Sequence, residues 1–230
     1  MTGAIILFYF ITLPNPAELE HKTPPRTAFI MLREDEAAEH HRKLHLQHTI
    51  VPLHDISPLA REAVRLSEDA SFYEHDGFDF EEMEHAASDA LRTGKARGAS
   101  TISQQLVKNV YLSPSRNPLR KAAEAWLTYR MERALEKDRI LELYLNEVEW
   151  GDGIFGIQSA AQHYFGESAF ALSPAHAVLL AAMLPMPLRV DPRSPSRWLL
   201  RRARRLLHEL EDLRHISHEE FLAAEAALAH

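Results

Sequence analysis

The chain has 230 residues, of which 46% are hydrophobic and 8% are aromatic, so it is long enough to bury the core of one or two globular domains. It contains no cysteine, which excludes disulfides, thiolate metal sites and cysteine nucleophiles. The formal net charge of −7 argues against a general nucleic-acid-binding protein, and we expect no nucleic-acid partner.

The amino-terminal residues form a short apolar run. Ala4 to Leu13 is almost wholly apolar, but a membrane-spanning helix needs roughly 20 such residues, and this run ends at Pro14. It lacks the basic flank and the small-residue cleavage site of a signal peptide. We interpret residues 1–14 as the remnant of a membrane anchor, with a buried strand or helix start as the alternative. Residues 15–49 mix prolines, charges and short apolar patches, and they predict an irregular lead-in with one or two short strands.

Helix signals begin at Ser57, which can cap a helix whose first residue is Pro58 and whose end lies near Glu68. The next helix is predicted to start at Asp79 and to stop at Gly94. Apolar periodicity indicates further helices over about 101–111, 118–135 and 138–150, and then over 173–184, 196–213 and from 217 onwards. The chain is therefore predicted to be mainly α, without alternation of strands and helices.

Three of these segments carry more specific predictions. Residues 173–184 are apolar almost all round, which predicts a central buried helix. In the helix over 118–135, the residues predicted to face inward are Leu119, Ala122, Trp126, Leu127, Met131 and Leu135. The arginine-rich segment 197–210 is either a structural or membrane-surface element or a solvated helix face.

The stretch "GDGIFG" at 151–156 matches the glycine pattern of dinucleotide-binding folds. That fingerprint requires a preceding strand within a βαβ unit, whereas Gly151 follows a segment with helical periodicity. We interpret the glycines as a tight turn between helices. The fourteen histidines include no H-E-x-x-H spacing, so they do not indicate a zinc site, and His75 is expected to orient a loop by hydrogen bonding.

The charge is unevenly distributed along the chain. From Arg92 to Lys137 there are ten lysines and arginines against three glutamates, a net of +7 within a chain of net −7. A basic island in an acidic protein indicates an anionic ligand, although a solvated basic helix face would give the same composition.

Two glutamates are candidates for chemistry. Glu68, at a helix end beside small and aromatic residues, can gain proton affinity by desolvation, which suits general acid–base work. A solvated helix-terminal acid is the alternative. Glu124 lies near the apolar side of its helix, four residues after Arg120, with which it can form an ion pair. Carboxylates near a cluster of cations fit a reaction in which a nucleophile is deprotonated while a phosphorylated group departs.

Five motifs in order make the sequence recognisable over roughly residues 50–192. They are "EDASFYEHDGFD" (68–79), "GASTISQQLVKN" (98–109), "RKAAE" (120–124), "RILELYLNEVEWG" (139–151) and "GIFGIQSAAQHYFG" (153–166). This pattern resembles the peptidoglycan glycosyltransferases of glycosyltransferase family 51, and most closely the monofunctional biosynthetic peptidoglycan transglycosylases. The resemblance implies a lysozyme-like, mainly α glycosyltransferase domain over residues 50–230. It also implies that this domain polymerises lipid II at the outer, periplasmic face of the bacterial cytoplasmic (inner) membrane.

The resemblance also implies roles for individual residues. Glu68 would be the general base for the 4-hydroxyl of the acceptor sugar, and Glu124 would support the donor side, either by coordinating a divalent metal (Mg or Mn) at the pyrophosphate or by orienting the basic groups. The implied substrate-binding residues are Asp69, Phe72, His75, Gly77, Ser100, Thr101, Gln104, Gln105, Lys108, Arg116, Arg120 and Lys121. The four cations of this set would hold the pyrophosphate. No organic cofactor is expected, and the implied partners are lipid II, the growing glycan strand, the membrane surface and other cell-wall synthesis proteins.

Two rival readings remain at the level of sequence. A lysozyme-like peptidoglycan hydrolase or lytic transglycosylase would use one glutamate as a general acid, but it would need no set of cations around a pyrophosphate. The second alternative is a catalytically silent helical scaffold at the membrane, for which Glu68→Gln would leave every activity unchanged.

Overall fold

A computed structural model describes residues 8–94, 98–112 and 117–229. The chain divides into two compact units. The first unit comprises residues 1–32 and 71–143, and the second comprises residues 33–70 and 144–230. Within the described ranges, no helix has the length and apolar character needed to cross a membrane.

The described residues are mainly helical, as predicted. The α-helices are α1 (Ala28–Glu39), α2 (Pro58–Glu68), α3 (Phe80–Thr93), α4 (Ile102–Tyr111), α5 (Pro118–Glu132), α6 (Lys137–Glu147), α7 (Ile157–Phe165), α8 (Pro174–Met183), α9 (Arg197–Asp212) and α10 (His218–Ala227). Short 3-10 helices cover Pro16–Glu20 and Leu53–Asp55. The strands are β1 (Gln47–His48), β2 (Glu149–Gly151) and β3 (Ile154–Phe155).

The helix ends follow the capping chemistry of the sequence. Ser57 accepts a hydrogen bond from the backbone N–H of Ala60, and Pro58 occupies the first position of α2. Asp79 caps α3 by accepting from the N–H of Glu82, and Gly94 ends that helix in the left-handed conformation. These predicted boundaries are confirmed. They were predictable because each depends on a hydrogen bond between residues close in sequence.

In the second unit, α8 is the buried centre. Every residue from Ala177 to Met183 is buried, and α2, α9 and α10 pack against this helix. Because α8 is apolar on all sides, it is stable only when other helices surround it. The prediction of a central buried helix is confirmed, and the packing fixes the position of α2, which ends at Glu68.

A small sheet also belongs to the second unit, and its hairpin corrects one prediction. Its strand order is β1-β3-β2, with β1 parallel and β2 antiparallel to β3. The glycine-rich stretch is therefore a hairpin and not a turn between helices, since Asp152 and Gly153 connect β2 to β3. Asp-Gly between two short strands is a hairpin signal that the helical periodicity before it obscured. The lead-in, predicted to contain one or two short strands, contains β1, whereas residues 28–34 of its apolar patch lie in α1.

In the first unit, α4 packs on α5, and the 3-10 helix Pro16–Glu20 also contacts α5. The predicted inward face of α5 is partly wrong. Leu119, Ala122 and Trp126 are exposed, whereas the buried positions within the helix are Ala123, Glu124, Leu127, Thr128 and Met131. The buried face is rotated toward positions 124 and 128. Glu124 can be buried there because Arg120 and Lys121 neutralise its charge. Apolar periodicity alone cannot reveal such compensation.

Candidate active site

Glu68 is the last residue of α2, in the second unit. Its side chain is half-buried, and its Oε1 lies 3.2 Å from the hydroxyl oxygen of Ser67, which donates a hydrogen bond to it. Asp69 follows as the C-cap residue and is buried. The end of a helix thus presents two consecutive carboxylates, of which Glu68 is the more accessible.

Tyr144, on α6 in the second unit, is fully buried close to these carboxylates. Burial raises its pKa well above the ordinary value of a phenol, and the negative charges of Glu68 and Asp69 raise that pKa further. The phenol therefore stays neutral across the working pH range. Tyr144 has no role assigned from the sequence, and its place within the fourth motif is the signal that could have indicated one.

In the first unit, the loop from Phe72 to Gly77 is fixed by contacts on several sides. Phe72 is fully buried, and the Nζ of Lys137 lies 4.5 Å from the centre of its ring. The backbone N–H of Gly77 donates to Nδ1 of His75 across 3.0 Å. This bond supports the interpretation that His75 orients the loop.

Gly77 is needed for the path of this loop. Its φ of +88° is one that side-chain-bearing residues rarely adopt, and a Cβ there would lie 2.8 Å from Cγ of Glu132 and 2.9 Å from Cγ2 of Thr128. The hydroxyl of Thr101 donates to the carbonyl oxygen of Gly77 across 2.8 Å. The glycine therefore lets the first motif lie directly against α5 while it is tied to the start of α4.

The second motif contributes mainly to the start of α4. Thr101 and Gln104 form a reciprocal capping box and both are buried, at 3% and 5% exposure. Their described contacts thus build the helix end, and direct contact with sugar or phosphate stays a prediction for them. Ser100 is exposed, and its carbonyl oxygen accepts from the side-chain amide of Gln105 across 3.3 Å.

Glu124 has a buried carboxylate held by two cations. One oxygen accepts from Nη1 of Arg120 at 2.8 Å, and the other is bonded to Nζ of Lys121. The side chain of Glu124 is 4% exposed, compared with 56% for that of Lys121. The predicted ion pair is confirmed, and this pairing favours the role of orienting the basic groups. A carboxylate with both oxygens already bound to cations does not fit a metal ligand.

The other two predicted phosphate-binding cations are Lys108 and Arg116. Lys108, half-buried in the last turn of α4, holds its Nζ 5.8 Å from the ring centre of Phe29. Arg116 lies outside the described residues.

A buried polar cluster that sequence reasoning missed supports the first motif. Glu132, at the end of α5, pairs with Lys137 at 2.9 Å and is hydrogen-bonded to the hydroxyl of Ser103. Glu132 and Lys137 lie between the third and fourth motifs, so no motif pointed to them. The first unit therefore brings together parts of the first three motifs, and the second unit holds Glu68 and Asp69.

Comparison with known proteins gives one consistent result. The family profile described as Transglycosylase matches residues 35–211. A protein of Nitrosospira multiformis named biosynthetic peptidoglycan transglycosylase is 42% identical over 89% of this chain and 90% of its own length. Proteins of the same name from Aromatoleum aromaticum (47% identical, covering 81% of each chain) and Pseudomonas syringae (43% identical, covering 83% of this chain and 80% of the relative) are also similar. The lysozyme-like helical fold and the resemblance read from the five motifs are confirmed, and the chain belongs to the transglycosylase family.

Proposed function

We propose that this protein is a peptidoglycan glycosyltransferase that polymerises lipid II into glycan strands. Membership of the transglycosylase family and the names of relatives that match most of the chain support this activity. These matches extend over 89% and 81% of this chain, so the support does not depend on one short pattern.

Glu68 acts as the general base. Its carboxylate takes the proton from the 4-hydroxyl of the acceptor sugar, and that oxygen forms a bond to C1 of the donor sugar. The bond between C1 and the pyrophosphate oxygen breaks, and the polyprenyl pyrophosphate leaves with the electron pair, so the configuration at C1 is inverted. The half-buried position of Glu68 suits this role, because partial desolvation raises the proton affinity of a carboxylate.

The observation that carries the proposal is the pairing of Glu124 with Arg120 and Lys121 at the amino end of α5. The buried carboxylate fixes both cations, and the first N–H groups of a helix add positive potential at the same place. Fixed positive charge can neutralise a departing diphosphate without reorganisation during the reaction. A hydrolase that cleaves glycan releases no diphosphate, so this arrangement favours the transferase over the hydrolase.

The site of action that we propose is the surface of the bacterial inner membrane, on the periplasmic side. Lipid II is a lipid-linked substrate, so the enzyme must reach the bilayer. Support comes from α5, where the rings of Trp126 and Tyr129 stack 5.9 Å apart and remain 43% and 46% exposed, with Leu119 also exposed. Aromatic side chains with polar tips are typical of membrane interfaces.

Purified protein offered lipid II tests the proposal, with polymer resolved on a gel. Wild type should form polymer, whereas Glu68→Gln and Glu124→Gln should reduce the rate at least about 100-fold. Glu84→Gln is the matched control, since Glu84 is exposed on α3 and the same change should leave the rate unaffected. Undiminished polymer from Glu68→Gln would refute the base assignment, and cleavage of preformed glycan without polymerisation would favour the hydrolase.

A further inference from the structure

The hydroxyl of Ser67 lies at the centre of a small hydrogen-bonded group in the second unit. Its oxygen is 3.2 Å from Oε1 of Glu68, 3.1 Å from the carbonyl oxygen of Ala181 and 3.1 Å from Nη2 of Arg202. A guanidinium can only donate, so Arg202 uses a lone pair of this oxygen. A hydroxyl has one proton, which can therefore go either to Glu68 or to Ala181, but not fully to both.

Arg202 is itself held in place by α8. Its Nε donates to the carbonyl oxygen of Ala182 across 3.2 Å, and its guanidinium carbon lies 5.4 Å from the ring centre of Trp198. Ala181 and Ala182 belong to the last turn of α8, where carbonyl oxygens have no partner within the helix. A cation is favoured at that end of a helix, because the helix dipole is negative there. The charge of Arg202 is thus fixed beside the residue that precedes Glu68.

We propose that Arg202 is a positioning residue for the transfer reaction, and that it acts through the hydroxyl of Ser67 to hold the carboxylate of Glu68 in its reactive orientation. This inference rests on the proposed role of Glu68 as the base. While Glu68 is ionised, the hydroxyl donates to it and Arg202 polarises that hydroxyl. Once Glu68 has taken the proton of the acceptor sugar, the hydroxyl turns to the carbonyl of Ala181, which lies 3.1 Å away.

The surroundings of Glu68 set the direction of the expected pH effect. Asp69 adds a negative charge next to it, and Tyr144 adds a neutral buried phenol. Arg65, one turn earlier on α2, is bonded to Glu62 and to the carbonyl oxygen of Ala70. Removing Arg202 takes away positive charge that favours the ionised base, so the pKa of Glu68 should rise and activity should begin at higher pH.

The test is the pH profile of kcat/KM for polymerisation of lipid II. We expect Arg202→Gln to move the acid limb upward by about 0.5–1 pH unit, and Ser67→Ala to move it in the same direction. Arg202→Lys should shift the acid limb less than Arg202→Gln does, because lysine keeps the positive charge but cannot form both hydrogen bonds. The control is Arg201→Gln, an exposed position on the same helix, which should leave the limb unchanged.

The double variant Ser67→Ala, Arg202→Gln distinguishes action through Ser67 from an independent effect. If the path runs through the hydroxyl, the double variant should shift the limb no further than the larger single change. Additive shifts, or an unchanged limb in Arg202→Gln, would overturn the inference. Should Arg202→Gln fail to fold because the end of α8 loses its cation, Ser67→Ala still gives the result. If Glu68→Gln still polymerises lipid II, the proposed base is wrong. If Glu68→Gln is inactive but Ser67→Ala leaves the acid limb unchanged, only this inference is wrong.

Discussion

Helices α5 and α8 begin with the same chemistry, but α5 buries a charged residue, whereas the buried residues of α8 are all apolar. Each starts with a polar N-cap followed by proline, Asn117 and Pro118 for α5 and Ser173 and Pro174 for α8. Helix α8 buries an almost unbroken apolar surface. Helix α5 instead buries Glu124 and Thr128 and leaves Trp126 exposed. Apolar periodicity therefore predicts the buried face of α8, where only apolar residues pack. It does not predict the buried face of α5, where a charged residue with cationic partners is buried.

The first prediction concerns the buried charged position of α5, where Glu124 is replaced by an apolar residue. Glu124→Leu should lower the rate of polymerisation at least about 100-fold, because Arg120 and Lys121 lose the group that orients them. Its free energy of unfolding should fall by about 3–5 kcal/mol, because the change removes one partner of a buried ion pair and leaves Arg120, whose side chain is 18% exposed, without that carboxylate. Urea denaturation beside the lipid II assay measures both quantities.

Thr128→Val is the control for Glu124→Leu. It alters the same buried face without touching charge, and the hydroxyl of Thr128 has no hydrogen-bond partner among the residues that the structure describes. Activity should be retained in this variant. A Glu124→Leu protein with normal polymerisation would show that the carboxylate has only a structural role.

The second prediction concerns α8, where burial should account for the whole effect. Leu180 is fully buried, and Leu180→Ala should reduce the free energy of unfolding by about 2–5 kcal/mol, because it removes apolar contacts and leaves a cavity. Leu222→Ala, at a position 55% exposed on α10, should change it by less than about 0.5 kcal/mol. Equal effects of the two changes in urea denaturation would contradict the central place of α8.

The third prediction tests whether the close contact between Gly77 of the first motif and α5 contributes to stability. Gly77→Ala should cost about 1–3 kcal/mol of unfolding free energy, because alanine is strained at positive φ and its Cβ meets Glu132 and Thr128. Gly94→Ala separates the two causes, since Gly94 has φ of +68° but nothing within 4 Å of a Cβ. If both variants lose the same stability in urea denaturation, contact with α5 adds nothing.

The fourth prediction uses a second buried carboxylate, which has a titratable partner instead of permanent cations. Nε2 of His48 lies 3.2 Å from the fully buried Glu147 and 3.0 Å from the carbonyl oxygen of Asn146. Burial alone would lower the pKa of His48, but Glu147 and the carbonyl of Asn146 outweigh it, and the net shift is upward from 6.5.

The sign of the resulting pH dependence follows from this upward shift. Stability from the charged histidine is fully present below the unfolded pKa of about 6.5 and is lost as pH rises through the higher folded value. The free energy of unfolding should therefore fall from pH 6 upward, by less than the change caused by Gly77→Ala. His48→Gln should flatten this dependence, and an unaltered slope in that variant would exclude His48 as its source.

The capping residues and the apolar face of α8 were predictable because both depend on neighbours within a few residues. Ser57, Asp79 and Gly94 each marked a helix end that the structure has. The hairpin at Asp152 was missed because helical periodicity before it outweighed a two-residue turn signal.

The candidate site shows the same division between local and distant causes. The pairing of Glu124 with Arg120 was predictable from a spacing of four residues. Contacts of Glu132 with Ser103, or of Arg202 with Ser67, join residues far apart in sequence, and no spacing rule predicts such pairs.

A small effect on stability should come from the exposed side of α5. Trp126→Ser should reduce the free energy of unfolding by about 0.5–1.5 kcal/mol, since the side chain is 43% exposed and the change removes its stacking on Tyr129, which is 46% exposed. If this side of α5 meets the bilayer as we propose, the same change should weaken sedimentation with anionic phospholipid vesicles several-fold, because an indole gains free energy at the interface. Phe170→Ser, at an exposed aromatic of the second unit, is the matched control and should leave vesicle binding unchanged. Equal loss in both variants would mean that any exposed aromatic contributes, and no loss in Trp126→Ser would place the contact with lipid elsewhere than on α5.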